Sequence, residues 1–205
     1  YLDQGKPSDL IDDARASRFK TALPGVIRPD LILTEDGFMI SELDSVPGGM
    51  GLTGCMAQTY ADLGWAVTGG RNGMVEGFAR MIRSLQPEIK PNLAIVVSDE
   101  ARDYRPEMRW LAARLREGGL PAEAVAPEDV TFTEEGLYLR KTDAVTTLYR
   151  FFELFDLKNI PKADLLLYAA RKGRVAMTPP AKPWLEEKLA FALLHHPALE
   201  PFWSS

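Results

Sequence analysis

Residues 92–100 read "NLAIVVSDE", and this stretch decides the fold. Leu93 to Val97 is an unbroken apolar run of strand length. A strand with one wet face alternates polar and apolar residues; an unbroken run is the pattern of a strand covered on both faces, as in a parallel sheet. Such a strand needs helical cover, and the next segment supplies it. "YRPEMRWLAARLREGG" (104–119) is an amphipathic helix with Met108, Leu111 and Leu115 on one side and Gly118-Gly119 as its stop. "LPAEAVAPEDV" (120–130) is then a short strand and loop. After a tight turn at Glu135-Gly136 comes a second apolar strand, "AVTTLYRFF" (144–152). Strand, helix and strand in this order imply a small parallel sheet with a right-handed crossover. "PKADLLLYAARKG" (161–173) is a helix ended by Gly173. "RVAMTPP" is extended, and "PWLEEKLAFALLHH" (183–196) is a final helix with Pro183 near its start.

Toward the N-terminus the pattern changes. "SDLIDDARASRFK" (8–20) predicts a helix capped by Ser8 or Asp9. "TGCMAQTYADLGW" (53–65) and "MVEGFARMIRSL" (74–85) predict two more. Between them and the first helix, "VIRPDLILT" and "GFMISELDS" flank Glu35-Asp36-Gly37, a strong hairpin signal. The fold class expected is therefore α/β, a mixed sheet with a Rossmann-like unit. Its divisions are 1–88 for the hairpin-bearing segment, 89–172 for the Rossmann-like unit and 173–205 for the remainder.

Composition excludes several function classes. The 205 residues suit one large or two small domains; 46% are apolar and 26% charged, as in a soluble globular protein. A net charge of −5 gives no electrostatic basis for nucleic acid or an anionic membrane as partner. One cysteine, Cys55, excludes an intrachain disulfide and a cysteine metal cage, which suits a reducing, cytoplasmic setting. No apolar run approaches about 18 residues, and no signal peptide is present. The chain opens with Tyr rather than Met.

The hairpin carries the chemistry. Residues two apart on a strand share a face, so Phe38, Ile40, Glu42 and Asp44 are expected on one side, the first two in a core and the acids at a rim. Two neighbouring carboxylates suit a shared divalent cation, and Mg²⁺ takes one or two carboxylates plus phosphate oxygens. Both acids simply solvated at a strand end is the plainer alternative. "PGGMGLTG" comes next, with four glycines in seven residues. Glycine lets backbone N–H groups approach an anion, and Gly54 runs into a predicted helix whose N-terminus favours negative charge. A turn chosen for backbone geometry is the alternative.

Arg28-x-Asp30, the hairpin and "ISELDSVPGGMGLTG" together resemble the circularly permuted ATP-grasp enzymes, relatives of eukaryotic glutathione synthetase and glutathionylspermidine synthase. In that family a strand ending in E-x-N holds Mg²⁺ against the ATP phosphates. Glu42 matches the acid, and Asp44 stands where the family has Asn, adding a negative charge. Arg28 matches a basic residue that contacts phosphate or substrate. Ser45, Gly48, Gly49 and Gly51 match the substrate-side loop. Tyr149-Arg150 in "AVTTLYRFFELFD" matches a family strand, which places Arg150 on the substrate side. "GRVAMTPPAKPWLEEKLAFALL" matches the segment that opens the nucleotide-binding half, where a lysine reaches the ATP phosphates; Lys188 matches best and Lys182 second. The resemblance implies ATP and Mg²⁺ as cofactors, small-molecule carboxylate and amine substrates joined through an acyl phosphate, and leaves a homodimer open. It also implies that this chain is a partial copy. The family's glycine-rich flap, another lysine and a further glutamate would come after Ser205, so the isolated chain is expected to have little ligase activity.

Structural roles stand beside these functional ones. Lys188 can be a solvated lysine paired with Glu186 or Glu187, and Arg150 a paired structural residue. Arg102, Arg105 and Arg109 can be a solvated face or an anion site. His195 and His196 suit a helix C-terminus. Cys55 is expected to pack at a helix start, and the four tryptophans in the core or at domain contacts. Two competing functions remain. A methyltransferase would need a second strand ending in an acid about 20 residues on, and "WAVTGGRNG" has none. A non-catalytic binding module on the ATP-grasp scaffold is the other.

Overall fold

In the computed structural model, which describes residues 2–204, the run at 93–97 lies inside a four-stranded parallel sheet. It forms strand β3 (Leu93–Val97), and all five residues are buried. The elements before it are helix α1 (Ser8–Arg15), the hairpin strands β1 (Arg28–Thr34) and β2 (Gly37–Asp44), and helices α2 (Met50–Asp62) and α3 (Gly73–Leu85). After it come α4 (Arg105–Glu117), β4 (Ala122–Val125), β5 (Thr131–Phe132), β6 (Leu137–Leu139), β7 (Asp143–Val145) and β8 (Thr147–Phe151). The chain closes with α5 (Ala163–Arg171), β9 (Ala176–Thr178), α6 (Leu189–Leu194) and α7 (Glu200–Trp203).

The parallel sheet has the order β4-β3-β8-β9. Period-2 alternation along β3 and β8 feeds two cores. Leu93, Ile95, Val97, Tyr149 and Phe151 pack with α3 and α4, where Met108, Leu111 and Leu115 are the buried side of α4. Ala94, Val96 and Leu148 pack instead with α5 and a three-stranded antiparallel sheet, β5-β6-β7. That small sheet is not visible in the sequence pattern. The expected strand at 144–152 is divided between the two sheets, with Thr146 at the crossing, where its N–H and that of Thr147 both donate to the carbonyl of Asn92. "RVAMTPP" supplies β9, the fourth parallel strand.

Other expectations shift. α1 ends at Arg15, because Ala16 takes an extended conformation. α2 begins at Met50, three residues earlier than its sequence signal, with Gly49 left-handed at φ 85° before it. The expected final helix is broken: a 3-10 turn spans Pro183–Glu186, Glu187 is extended, and α6 comes after it. The segment 63–72 holds no strand, so the second strand of a methyltransferase-type unit is not found there among the described residues. No helix among the described residues is long and apolar enough to cross a membrane.

The largest correction concerns the hairpin. Phe38 and Ile40 were expected in a core, yet they are 70% and 52% exposed. β1 and β2 form a sheet of only two strands, and Leu31, Ile32, Leu33 and Met39 are exposed beside them. The pairing also slips between Asp30 and Leu31, which leaves Ser41 unmatched as a bulge. A bulge adds one residue and re-aims the side chains beyond it. The alternation therefore does not run unbroken from Phe38 to Asp44.

Candidate functional site

Loops at the C-terminal ends of parallel strands are the usual ligand sites of open α/β sheets. Here β3 ends at Val97 and β8 at Phe151, and a cleft of about 470 Å³ opens where they run out into Ser98 and Phe152-Glu153. Its wall includes Tyr104, Phe155 and Asp156, and across from them Arg28, Asp44 and Gly48 from the base of the hairpin. The base of the hairpin thus brings Arg28 and Asp44 to this cleft even though its tip is exposed.

Both hairpin acids carry a basic partner. The Arg28 guanidinium lies 3.1 Å from Asp44 and donates to Asp30 at 2.9 Å and to the Gly48 carbonyl at 3.3 Å. Asp44 also accepts the Val46 N–H at 2.8 Å, an Asx-type turn that swings the chain out of the strand. Glu42 lies 3.0 Å from the Lys188 ammonium. The base of the hairpin therefore holds two ion-paired clusters, Arg28 with Asp30 and Asp44, and Lys188 with Glu42. Among the described residues no group of three His, Cys, Asp or Glu side chains converges to hold a metal.

The glycine loop is built around packing and one internal cap. Glu107 on α4 accepts from the N–H of Gly49 at 2.7 Å and of Leu52 at 3.0 Å. The positive end of α2 thus already holds a carboxylate from the protein itself. A Cβ at Gly51 would lie 2.1 Å from the Glu107 carbonyl oxygen, and one at Gly48 would meet the Tyr104 ring at 2.3 Å. These two glycines let α2 and its entry loop sit directly on α4. Cys55, expected to pack at a helix start, is instead free and exposed on α2.

Beneath the cleft lies a charged cluster. Arg150 is fully buried, which in an apolar strand demands partners. It donates to the carbonyls of Pro179 and Pro180 at 3.3 Å, to that of Phe152, and to the Glu186 carboxylate. Glu186 also accepts the Leu154 N–H at 2.8 Å. The neighbouring Glu153 faces the cleft. Burial, and next the charge of and a hydrogen bond with Glu186, push its carboxyl up to about 7. A buried acid beside another acid holds its proton longer because two negative charges so close repel.

The structure separates the remaining sequence-predicted residues. Lys182 is buried and donates to the carbonyls of Lys20 at 3.0 Å and Ala22 at 2.7 Å, tying that segment to the one after β9. Burial lowers its pKa. Ser45 lines a different cavity from Asp44. Arg102 and Arg105 lie 3.7 and 3.4 Å from Asp99, while Arg109 lines a groove along β4. Sequence pattern alone does not single out Glu153, Tyr104 or Glu107. Glu153 had a legible signal, an acid directly after the apolar pair Phe151-Phe152; Glu107 had none, since its partners lie far away in sequence.

Compared with known proteins, the chain matches no family model and no curated sequence.

Proposed function

We propose that the chain forms part of an ATP-dependent carboxylate–amine ligase of the permuted ATP-grasp type, with the cleft beside the hairpin base as its working site. In this reading the parallel sheet is the Rossmann-like substrate unit and the hairpin belongs to the ATP-grasp unit. The observation that supports it is the Lys188–Glu42 contact at 3.0 Å. Two residues far apart in the sequence, matched on separate motifs to phosphate and to metal, meet.

The donor set fits Mg²⁺-ATP. Glu42 and Asp44 are hard oxygen donors, and Mg²⁺ takes one or two carboxylates when phosphate oxygens and water complete its shell. Lys188 and Arg28 match the phosphates. Lys188 is 69% exposed along its side chain, so exchanging Glu42 for a phosphate disrupts only a surface pair, of about 0–1 kcal/mol. Bound Mg²⁺ would offset phosphate charge during transfer. Arg28 offers a planar fork to a phosphate or a substrate carboxylate. Glu153 takes the role of base: an attacking amine enters as an ammonium and must lose a proton, which a cleft carboxylate of pKa about 7 accepts near neutral pH.

A binding module without catalysis is the second reading. It is favoured by Glu107, which fills the backbone donors at Gly49 and Leu52 that a phosphate would otherwise use. Calorimetric titration with ATP, with and without Mg²⁺, separates the two. The ligase reading expects Mg²⁺-dependent binding that a Glu42→Gln, Asp44→Asn double variant loses. Binding indifferent to both carboxylates would reject it.

A further inference from the structure

A groove of about 850 Å³ lies along β4, the outermost strand of the parallel sheet, and shares no residue with the cleft. Ala122, Glu123 and Ala124 of that strand line it. Helix α4 flanks the strand on one face and the β6–β7 turn on the other, through Arg109 and Arg116 and through Arg140 respectively.

The backbone of β4 is open on the groove side. Leu93 stands opposite Ala122, and its N–H donates to the Pro121 carbonyl at 2.9 Å. In a parallel ladder a residue bonds to the residues before and after the one opposite it. Pro121 and Glu123 therefore serve β3, and Ala122 and Ala124 turn their N–H and C=O groups away from it. Arg116 covers the Ala122 carbonyl at 2.6 Å. Ala124 has no such cover, and no strand among the described residues lies beyond β4. Open strand edges are templates for another strand, and charge on the strand itself usually blunts them. The one charged residue of β4, Glu123, is instead taken up by Arg140.

The groove is also basic. Lys90, Arg109, Arg116 and Arg140 line it against two acids, Glu123 and Asp143, and Arg140 pairs with both acids. Lys90 and Arg109 are exposed and have no carboxylate partner among the described residues. In a chain of net charge −5 this excess of cations is local.

We propose that the groove docks an acidic peptide segment of a partner protein, which adds to the four-stranded sheet beside β4. The segment exchanges backbone bonds with Ala124, and its carboxylates face Arg109 and Arg116 on α4. Alternate residues of a strand share a face, so acids at every second position all point to the helix. Arg109 and Arg116 lie seven residues apart on α4, about 10 Å along its axis, which is the reach of about three strand residues. A nucleic acid would meet the cations but leave the strand edge unpaired, whereas strand addition uses both. The inference does not depend on Mg²⁺-ATP, since the cleft and the groove are separate.

The probe is a short capped peptide of alternating glutamate and valine, titrated calorimetrically into the wild-type chain. Saturable binding is expected, weakening as salt rises. The same peptide N-methylated at every residue keeps its charge but loses its backbone donors, and should bind about 10-fold more weakly. A lysine-for-glutamate version should not bind. Arg109→Glu with Lys90→Glu should weaken the acidic peptide about 3- to 10-fold and leave the melting temperature unchanged, since both side chains are exposed and unpaired. In the complex the Ala124 amide should exchange with solvent more slowly. No saturable binding, equal binding of the N-methylated peptide, an affinity untouched by the charge reversals, or unchanged exchange at Ala124 would each overturn the proposal. So would an oligothymidylate that binds more tightly than the peptide, as a plain cationic patch would allow.

Discussion

The parallel sheet and the β1–β2 hairpin are both built from apolar sequence, yet they end in opposite environments. Every residue of β3 and β8 is buried, including Arg150. In the hairpin, Leu33 and Phe38 are 76% and 70% exposed. The difference lies in cover. The sheet has helices on one face and a helix with a small sheet on the other, whereas no third strand among the described residues joins the hairpin. Hydrophobicity alone does not bury a strand; it must have something to pack against. The contribution of the hairpin is its base, where Arg28 and Asp44 line the cleft.

Four substitutions or conditions sharpen the contrast. The largest effect is expected at Arg150. Arg150→Ala leaves the Glu186 carboxylate unpaired and buried, so denaturant unfolding should show a loss of about 3–5 kcal/mol. An Arg150→Met, Glu186→Leu double variant should lose less, because neither partner is stranded. Next come Ile95→Ala and Phe38→Ala. Ile95 is fully buried, and its truncation should cost about 2–5 kcal/mol. Phe38→Ala should stay within about 0.5 kcal/mol of wild type, as exposed substitutions do. Comparable losses at both would show the hairpin is covered in solution.

Gly51→Ala is third. Its added carbon meets backbone rather than a flexible side chain, so α2 must move off α4, at about 1–3 kcal/mol. The smallest effect is pH dependence. The Glu153 carboxyl titrates at about 7 in the folded chain, above its unfolded value, so the folded state holds the extra proton between those two values. The Glu153 contribution to stability is therefore present at acid pH and lost as pH rises toward 7. Melting temperatures at pH 5 and pH 8 should differ more for wild type than for Glu153→Gln.

Legibility in the sequence divides along the same line. β3 and α4 could be read directly, because an unbroken apolar run and a 3.6-residue stripe each have one structural solution, and Asp36-Gly37 fixed the hairpin turn. β5, β6 and β7 could not, since strands of two or three residues carry no periodicity. The start of α2 was hidden because its cap is Glu107, supplied by another helix. The break before α6 was hidden too: Glu186, Glu187 and Lys188 look like one helical charge run, yet they pair with Arg150, Lys6 and Glu42 respectively. Glu42, Asp44 and Lys188 could be singled out as motifs, and the fold brings Lys188 to 3.0 Å from Glu42. The conversion of Arg150 and Lys182 into internal struts came from contacts that only the folded chain makes.

We propose that Glu42 and Asp44 take a divalent ion together with ATP. The most direct measurement is the paramagnetic resonance of Mn²⁺, standing in for Mg²⁺, titrated with the protein in the presence and absence of ATP. The account predicts that free Mn²⁺ signal falls beyond what ATP alone removes, and that Glu42→Gln with Asp44→Asn abolishes that extra loss. A signal that depends on ATP alone, unchanged by wild-type protein, would contradict it.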